Sequence, residues 1–423
     1  MLKIVANIFS QSKKEFSDAF YLLLLQGVNQ LLPLIVMPYL MIVLGADRYG
    51  YIGFSQSVIQ YFILIVDFGF NLSATKRVAM AKDDPKALNL IFYSTVYAKL
   101  LLLLFSLFVF IVLLLTVDTF KTYSIALLCT FPMVVGSMFS FFWMYQGIGK
   151  IRSMAIINTL SKLVVLPLIF FLVKNPNDYA LAALIQSLVY ILTAIISCYY
   201  LFKWNIIKKV KVSMSNVWVE LKESFPLFLS SASTSVYTQL FVVLLGFMST
   251  PDVVGKYSAA EKIMRAMCFV LYTPISQAFF PKISSLSEKQ NKRAQLLLKN
   301  VFILVGFMMF FVSLFLFLGS NYITDLLGYG YNGLSTLLRI FSLAPLAIGL
   351  GGILGQMGLV ALGNYKTKIQ FQNVYFIVAP ISLILVSCLT PIYMETGAAW
   401  ALVITEYIVF FLMAYYYRRS VRC

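Results

Sequence analysis

Residues 100–115 run LLLLLFSLFVFIVLLL, with Ser106 the only polar side chain. Such a run does not alternate, so it is not a barrel strand with one lipid-facing edge. An apolar helix of about 20 residues, rising 1.5 Å per residue, matches a hydrocarbon core about 30 Å thick. Inside that core only helices or closed barrels satisfy every backbone donor and acceptor. The pattern recurs at 20–44, 50–72, 88–115, 122–144, 153–173, 180–202, 225–248, 257–280, 297–318, 334–361, 370–390 and 397–417. The chain therefore reads as an all-α membrane protein with about twelve spans. Its composition agrees: 61% hydrophobic and 12% charged, where soluble chains carry about 25% charged residues.

Charge fixes the expected orientation. The two terminal tails and the even-numbered loops hold 24 Lys and Arg residues, and the odd loops hold only Arg48, Lys121, Lys174 and Lys256. That bias predicts both termini in the cytoplasm and accounts for most of the net charge of +17. Because these cations sit on short loops beside spans, the basic balance points to membrane lipids and not to nucleic acid. The start of the chain is polar and basic and reads as retained, not as a cleaved signal peptide.

Sliding the chain on itself by 205 residues aligns Asp47-Arg48-Tyr49-Gly50 with Asp252-Val253-Val254-Gly255, and the basic loop 77–86 with 282–291. Asn158, after the turn at 147–150, approximates Asn373, after 363–366. Six spans separate the copies, so both halves run the same way through the bilayer. The expected organisation is an N-terminal six-helix bundle over 1–202, a linker over 203–224 and a C-terminal six-helix bundle over 225–423. Paired bundles of this kind suit alternating access.

A charge at mid-bilayer costs at least about 2.5–3.5 kcal/mol on insertion scales, so each one needs a reason. The intramembrane cations are Lys99, Lys162, Lys262, Arg265 and Arg339; the anions are Asp67, Glu261 and Glu406. Glu261 and Arg265 are four apart, on one helix face, and Lys262 points elsewhere. The excess of cations suits an anionic group such as pyrophosphate, which a guanidinium can grip with two parallel hydrogen bonds. Arg265, Lys162, Arg339 and Lys262 are the candidate anion-binding residues, and Arg265→Ala is expected to impair transport at normal membrane levels. Lys99 is expected to snorkel to the cytoplasmic edge.

Polar stripes on the first and seventh spans supply sugar-facing candidates: Gln26, Asn29 and Gln30 on one, Ser231, Thr234 and Ser235 with Gln239 on the other. Hydrogen bonding between packed helices is the competing reading. Glu261, Glu406 and Asp67 are the candidates for ion coupling, Asp67 the weakest because Lys76 or Arg77 is placed to pair with it. Prolines at 33, 38, 132, 167, 274, 345 and 380 predict kinks. Histidine is absent, the five cysteines have no paired spacing, and there is no phosphate-binding Gly-x-x-x-x-Gly-Lys-Ser/Thr loop. No cofactor, no metal and no enzymatic activity is expected, so transport must draw on an ion gradient, the membrane potential or a coupled partner.

The segment Asp67-Phe68-Gly69-Phe70-Asn71-Leu72-Ser73-Ala74-Thr75-Lys76-Arg77-Val78-Ala79 resembles the end of the second helix in O-antigen repeat-unit flippases. These form the polysaccharide transporter branch of the multidrug/oligosaccharidyl-lipid/polysaccharide exporter superfamily. Leu327-Gly328-Tyr329-Gly330-Tyr331, leading into Leu338-Arg339-Ile340, and Gly355-Gln356 through Leu362-Gly363-Asn364 are similar to further segments of the family. The resemblance implies a V-shaped pair of bundles around a cationic cavity that holds the pyrophosphate of an undecaprenyl-linked oligosaccharide. It implies movement from the cytoplasmic to the periplasmic leaflet, with an O-antigen polymerase and a chain-length regulator as downstream partners. Arg77 and Arg339 fall on the matching segments, which makes Arg77 a further cavity candidate. The alternatives are a cation-coupled drug exporter, a lipid II flippase relative and a membrane-embedded polymerase or glycosyltransferase. The first would want an anionic cavity, the second typically has two further helices, and the third a long outer loop with catalytic acids. The longest outer loop here, 319–333, holds only Asp325.

Overall fold

The chain is described by a computed structural model covering the backbone of residues 2–289, 291–328 and 330–422. Side chains are described from Leu32 onward, apart from 230, 233, 234, 236, 237, 287–291, 329, 365 and 421–423. Among the described residues all regular structure is helical. The first half holds α1 (Leu2–Asp67), α2 (Phe70–Met80), α3 (Pro85–Thr116), α4 (Asp118–Thr122), α5 (Ser124–Thr130), α6 (Pro132–Phe139) and α7 (Phe142–Gly147). It continues through α8 (Ile151–Val165), α9 (Pro167–Leu172) and α10 (Tyr179–Lys203). The second half holds α11 (Met214–Met248), α12 (Pro251–Lys289), α13 (Asn291–Leu327), α14 (Leu334–Phe341), α15 (Ala344–Gly352), a π-helical stretch Ile353–Ala361, and α16 (Tyr365–Arg422).

Nine segments among the described residues are long and apolar enough to cross a membrane. Two of them, Leu32–Met80 and Lys366–Ser420, are of double length and turn at single non-helical residues, Gly45 (φ 68°) and Met394 (φ 49°). The first turn is a hairpin: Pro33, Met37 and Leu40 on one limb line the same cavity as Gln60, Gln56 and Ile52 on the other. The seventh expected span lies within α11, where Ser230 to Ser235 dilute the apolar run. The expected kinks divide by position. Pro132, Pro167 and Pro345 sit in the first turn of α6, α9 and α15, where a missing N–H costs nothing. Pro33 and Pro38 of α1, Pro274 of α12 and Pro380 of α16 remain inside uninterrupted helix.

The two stretches aligned by the offset of 205 meet in space. A Cβ at Gly50 would overlap the Pro251 carbonyl oxygen, and one at Gly255 would overlap that of Ala46. A Cβ at Gly53 would lie 2.6 Å from the Ser258 hydroxyl. Ala46 with Pro251, Gly50 with Gly255 and Gly53 with Ser258 are each equivalent pairs, so the seam between α1 and α12 is locally two-fold symmetric. Glycine is required there because the backbones themselves are in contact. The Tyr331 hydroxyl reinforces this end of the seam by donating to the Met41 carbonyl, 3.2 Å away. At the opposite end, which carries the basic loops, Arg77 of α2 pairs with Glu220 (2.8 Å) and Glu223 (3.1 Å) at the start of α11. There Ser73 and Ser224 share a 2.6 Å hydrogen bond, and the Phe68 and Phe228 rings stack at 4.6 Å.

Candidate functional site

Between these two closures lies a cavity of about 410 Å³ lined by α1, α6, α8, α10, α11 and α12. Among the described residues its charged lining is Lys162 of α8 and Lys262 of α12, with no carboxylate. Four glutamines surround them: Gln56 and Gln60 on α1, Gln186 on α10 and Gln239 on α11. The Lys262 ammonium donates to Gln56 Oε1 at 2.9 Å. Gln56 Nε2 donates in turn to Gln186 Oε1 at 2.8 Å, and Gln186 Nε2 to the Ala182 carbonyl at 3.1 Å. This relay fixes the amide orientations and places Lys262 Nζ 5.1 Å from the centre of the Tyr49 ring. An ammonium has three donors, and the relay engages one. Two like charges in one low-dielectric cavity raise each other's energy. An anion entering it is therefore stabilised by both, and the amides offer donors and acceptors to hydroxyls.

Glu261 and Arg265 are on α12 beside Lys262 but face away from the cavity. Arg265 Nε is 2.8 Å from Glu261 Oε1, and its Nη2 is 3.8 Å from Glu406 Oε1 on α16. Both carboxylates are buried, as is the Tyr257 ring one turn earlier. This is a charged cluster of two carboxylates about one guanidinium inside the second half of the chain, and it includes two of the three ion-coupling candidates. The third, Asp67, pairs with neither Lys76 nor Arg77. Its Oδ1 accepts from Lys99 at 2.8 Å and its Oδ2 from Asn71 at 3.3 Å. Lys99, only 1% exposed, does not snorkel: a half-buried carboxylate within reach holds it more firmly than the distant bilayer edge would.

Residues 16–287 match a family described as polysaccharide biosynthesis protein. A protein of Escherichia coli (strain K12) named "Putative O-antigen transporter" is 32% identical over 404 residues, spanning 95% of this chain and 96% of that one. The chain belongs to the polysaccharide biosynthesis family. The family fold is shared with two solved membrane proteins, each 15% identical. Lipid II flippase MurJ in its inward closed conformation aligns with a TM-score of 0.74 over 95% of this chain and 87% of that one. An inward-facing multidrug resistance MATE family transporter aligns with a TM-score of 0.68 over 93% and 94%.

Within this family member, the two arginines on the resembling segments lie outside the cavity. Arg77 is held by Glu220 and Glu223. Arg339 is exposed at the end of α14, donating to Ser320 Oγ at 3.1 Å and Asn321 Oδ1 at 3.2 Å. Arg265 does not line the cavity either; of the anion-binding candidates the structure brings together Lys162 and Lys262. Ser231 and Ser235 of α11 are half-buried and line no described cavity, whereas Gln239, on the same stripe, does. Gln26, Asn29, Gln30 and Thr234 lie outside the described side chains. Sequence reasoning missed Gln56, Gln60 and Gln186. Their signal was present: amides four apart within the second span, and one within the sixth, are as costly in hydrocarbon as the amides singled out on the first. The glycine cluster of the tenth span serves packing, since Cβ atoms at Gly352, Gly355 and Gly358 would each lie 2.8 Å from a ring of Tyr272, Phe371 or Tyr417.

Proposed function

We propose that this chain is a flippase of the bacterial inner membrane. It carries undecaprenyl-pyrophosphate-linked O-antigen repeat units from the cytoplasmic to the periplasmic leaflet by alternating access. The observation that carries this reading is the cavity itself: among its described lining residues are two lysines and four glutamines and no carboxylate. A pyrophosphate neutralises Lys162 and Lys262, and the amides meet sugar hydroxyls, whereas a cationic drug would meet two like charges and no acid. In this reading residues 1–202 and 225–423 are the moving bundles, joined by 203–224. Both termini are cytoplasmic, by the bias of the basic loops, so the glycine seam closes the periplasmic end.

No chemical step on the substrate is needed; the work is transfer of a charged headgroup through hydrocarbon, which the cavity lowers by replacing water with fixed donors. The cluster of Glu261, Arg265 and Glu406 is the site proposed to couple that movement to an ion gradient, with Asp67 the weaker candidate. A polymerase and a chain-length regulator would consume the product.

The test is deletion of the gene in its native host, with surface lipopolysaccharide run on a gel beside lipid extracts. Loss of the polymer ladder with lipid-linked single repeats retained on the cytoplasmic side is expected. An intact ladder with raised sensitivity to cationic drugs would make the chain an exporter.

A further inference from the structure

A second chamber of about 230 Å³ adjoins the main cavity on the side of the basic loops. The two share Lys162, Val189 and Tyr190, so Lys162 stands on the threshold between them. The chamber's own polar residues are Asp67, Asn71, Ser137, Ser140, Asn158 and Thr193, drawn from α1, α2, α6, α8 and α10 and from Ser140, which follows α6.

The charge pattern sets this chamber apart from its neighbour. Asp67 is neutralised by Lys99 and tied to Asn71, which leaves Lys162 at the threshold as the chamber's other charged lining residue. What remains is a set of neutral donors and acceptors. Ser137 and Ser140 give their protons to the carbonyls of Val134 and Ser137, at 2.8 and 3.0 Å. Their oxygen lone pairs are left as acceptors. Thr193 is more than nine-tenths buried, and its hydroxyl has no hydrogen-bond partner in the protein. A buried hydroxyl without a partner costs about 1–3 kcal/mol, so this one marks a position that a ligand hydroxyl or a water completes. Phe142 adds an apolar ring face to the same wall. Neutral hydrogen-bonding groups beside an aromatic ring match a sugar ring, which has hydroxyls around its edge and C–H bonds on its faces. At 230 Å³ the chamber falls below the roughly 300–1,000 Å³ typical of larger ligand sites, so it holds one ring and not a chain of them.

We propose that this second chamber is a carbohydrate subsite that takes one neutral sugar ring, with Lys162 holding the phosphate that joins that ring to the group in the main cavity. The inference rests on the flippase reading and adds to it a place, and named residues, for sugar recognition. Thr193 on α10 and Asn158 on α8 are its binding residues.

The experiment measures binding of two probes to the full-length protein in lipid nanodiscs: polyprenyl pyrophosphate alone, and polyprenyl pyrophosphate bearing a single hexose. Wild type is expected to bind the hexose-bearing probe about 10-fold more tightly, the equivalent of two ordinary hydrogen bonds. Thr193→Val keeps the side-chain shape and removes the hydroxyl; Asn158→Leu removes the amide. Each should shrink the preference to about 2–3-fold, while binding of the sugar-free probe stays as in wild type. A preference that survives in both variants overturns the subsite, as does an equal loss for both probes. If wild type binds the two probes equally, the subsite falls while the flippase reading stands. If wild type binds neither, the flippase reading falls and takes the subsite with it.

Discussion

Glu261 and Lys262 are adjacent on α12 and live in opposite electrostatic worlds. Glu261 faces Arg265 and, through it, Glu406, a closed set in which each charge has a protein partner. Lys262 faces a cavity with a second lysine, where its described partners are an amide and a ring. Burying ions costs several kcal/mol each, even after relaxation, and is offset only by well-placed opposite charge. The closed cluster meets much of that cost internally and supports the fold. The open pair in the cavity has no carboxylate among the described lining residues.

The largest effect should come from breaking the closed cluster. Arg265→Ala leaves two buried carboxylates facing one another, and removing one partner of a buried pair costs about 3–5 kcal/mol. Membrane levels and melting temperature should both fall, contrary to the expectation from sequence that only transport would suffer. Adding Glu406→Gln should restore much of the loss. Normal protein levels with Arg265→Ala alone would show that the cluster is not a structural unit.

Breaking the open pair should do the reverse. Lys262→Ala removes a cation whose charge-assisted bonds are worth about 1.5–3 kcal/mol, so affinity for polyprenyl pyrophosphate should drop roughly 10–100-fold. Stability should hold or rise, because one of two repelling lysines is gone. Lys262→Arg should retain most of the binding. A destabilised Lys262→Ala protein with normal binding would reverse the assignment of the two regions.

Much of this was legible in the sequence because hydrocarbon is an unforgiving solvent. Span positions follow from apolar run length, and the offset of 205 aligns Gly50 with Gly255, though only the folded structure shows that they touch. The site was less legible. Sequence places Lys162, Lys262, Arg265 and Arg339 equally inside or beside spans, yet whether a cation is compensated depends on carboxylates far along the chain. Glu406 lies 141 positions from Arg265, and Asp67 lies 32 from Lys99. Helical periodicity separates Glu261 from Lys262 but cannot say which of the two faces the cavity. The glutamines were overlooked because an amide raises no flag in a count of charges.

The glycine seam sharpens the comparison from a third side, since it holds the two halves together without any charge. Gly50→Ala and Gly255→Ala each force a methyl group into the opposing backbone, an overpacking worth about 1–3 kcal/mol. Because the contacts are reciprocal, the two variants should lose similar amounts of thermal stability. In either background Ser258→Cys, at a fully buried position on the seam, should label faster with a polar thiol reagent than in the parent. Unequal losses would mean that the local two-fold does not carry the closure.

An effect of opposite sign is expected at the other closure, from Glu220→Gln. Glu220 lies in the linker region ahead of the seventh span, with a side chain only 1% exposed. Burial pushes its carboxyl up to about 7, and Glu223 adds to the rise while Arg77 opposes it. At pH 7 the unfolded carboxyl is ionised and the folded one only about half so; an amide removes that difference, so Glu220→Gln should stabilise the protein at neutral pH. The pH dependence is the informative readout. Between its ordinary range near 4.5 and about 7, the folded protein binds this proton more tightly than the unfolded chain does. This group's contribution is therefore fully present below pH 4.5 and is lost as pH rises toward 7, by on the order of 1 kcal/mol per pH unit. Glu220→Gln should flatten that slope in the difference between wild-type and variant melting curves from pH 5 to 8. An unchanged slope would mean that Arg77 compensates Glu220 completely, making this closure a self-contained charge cluster like that of Glu261 and Arg265 and not one that loosens as its carboxyl ionises.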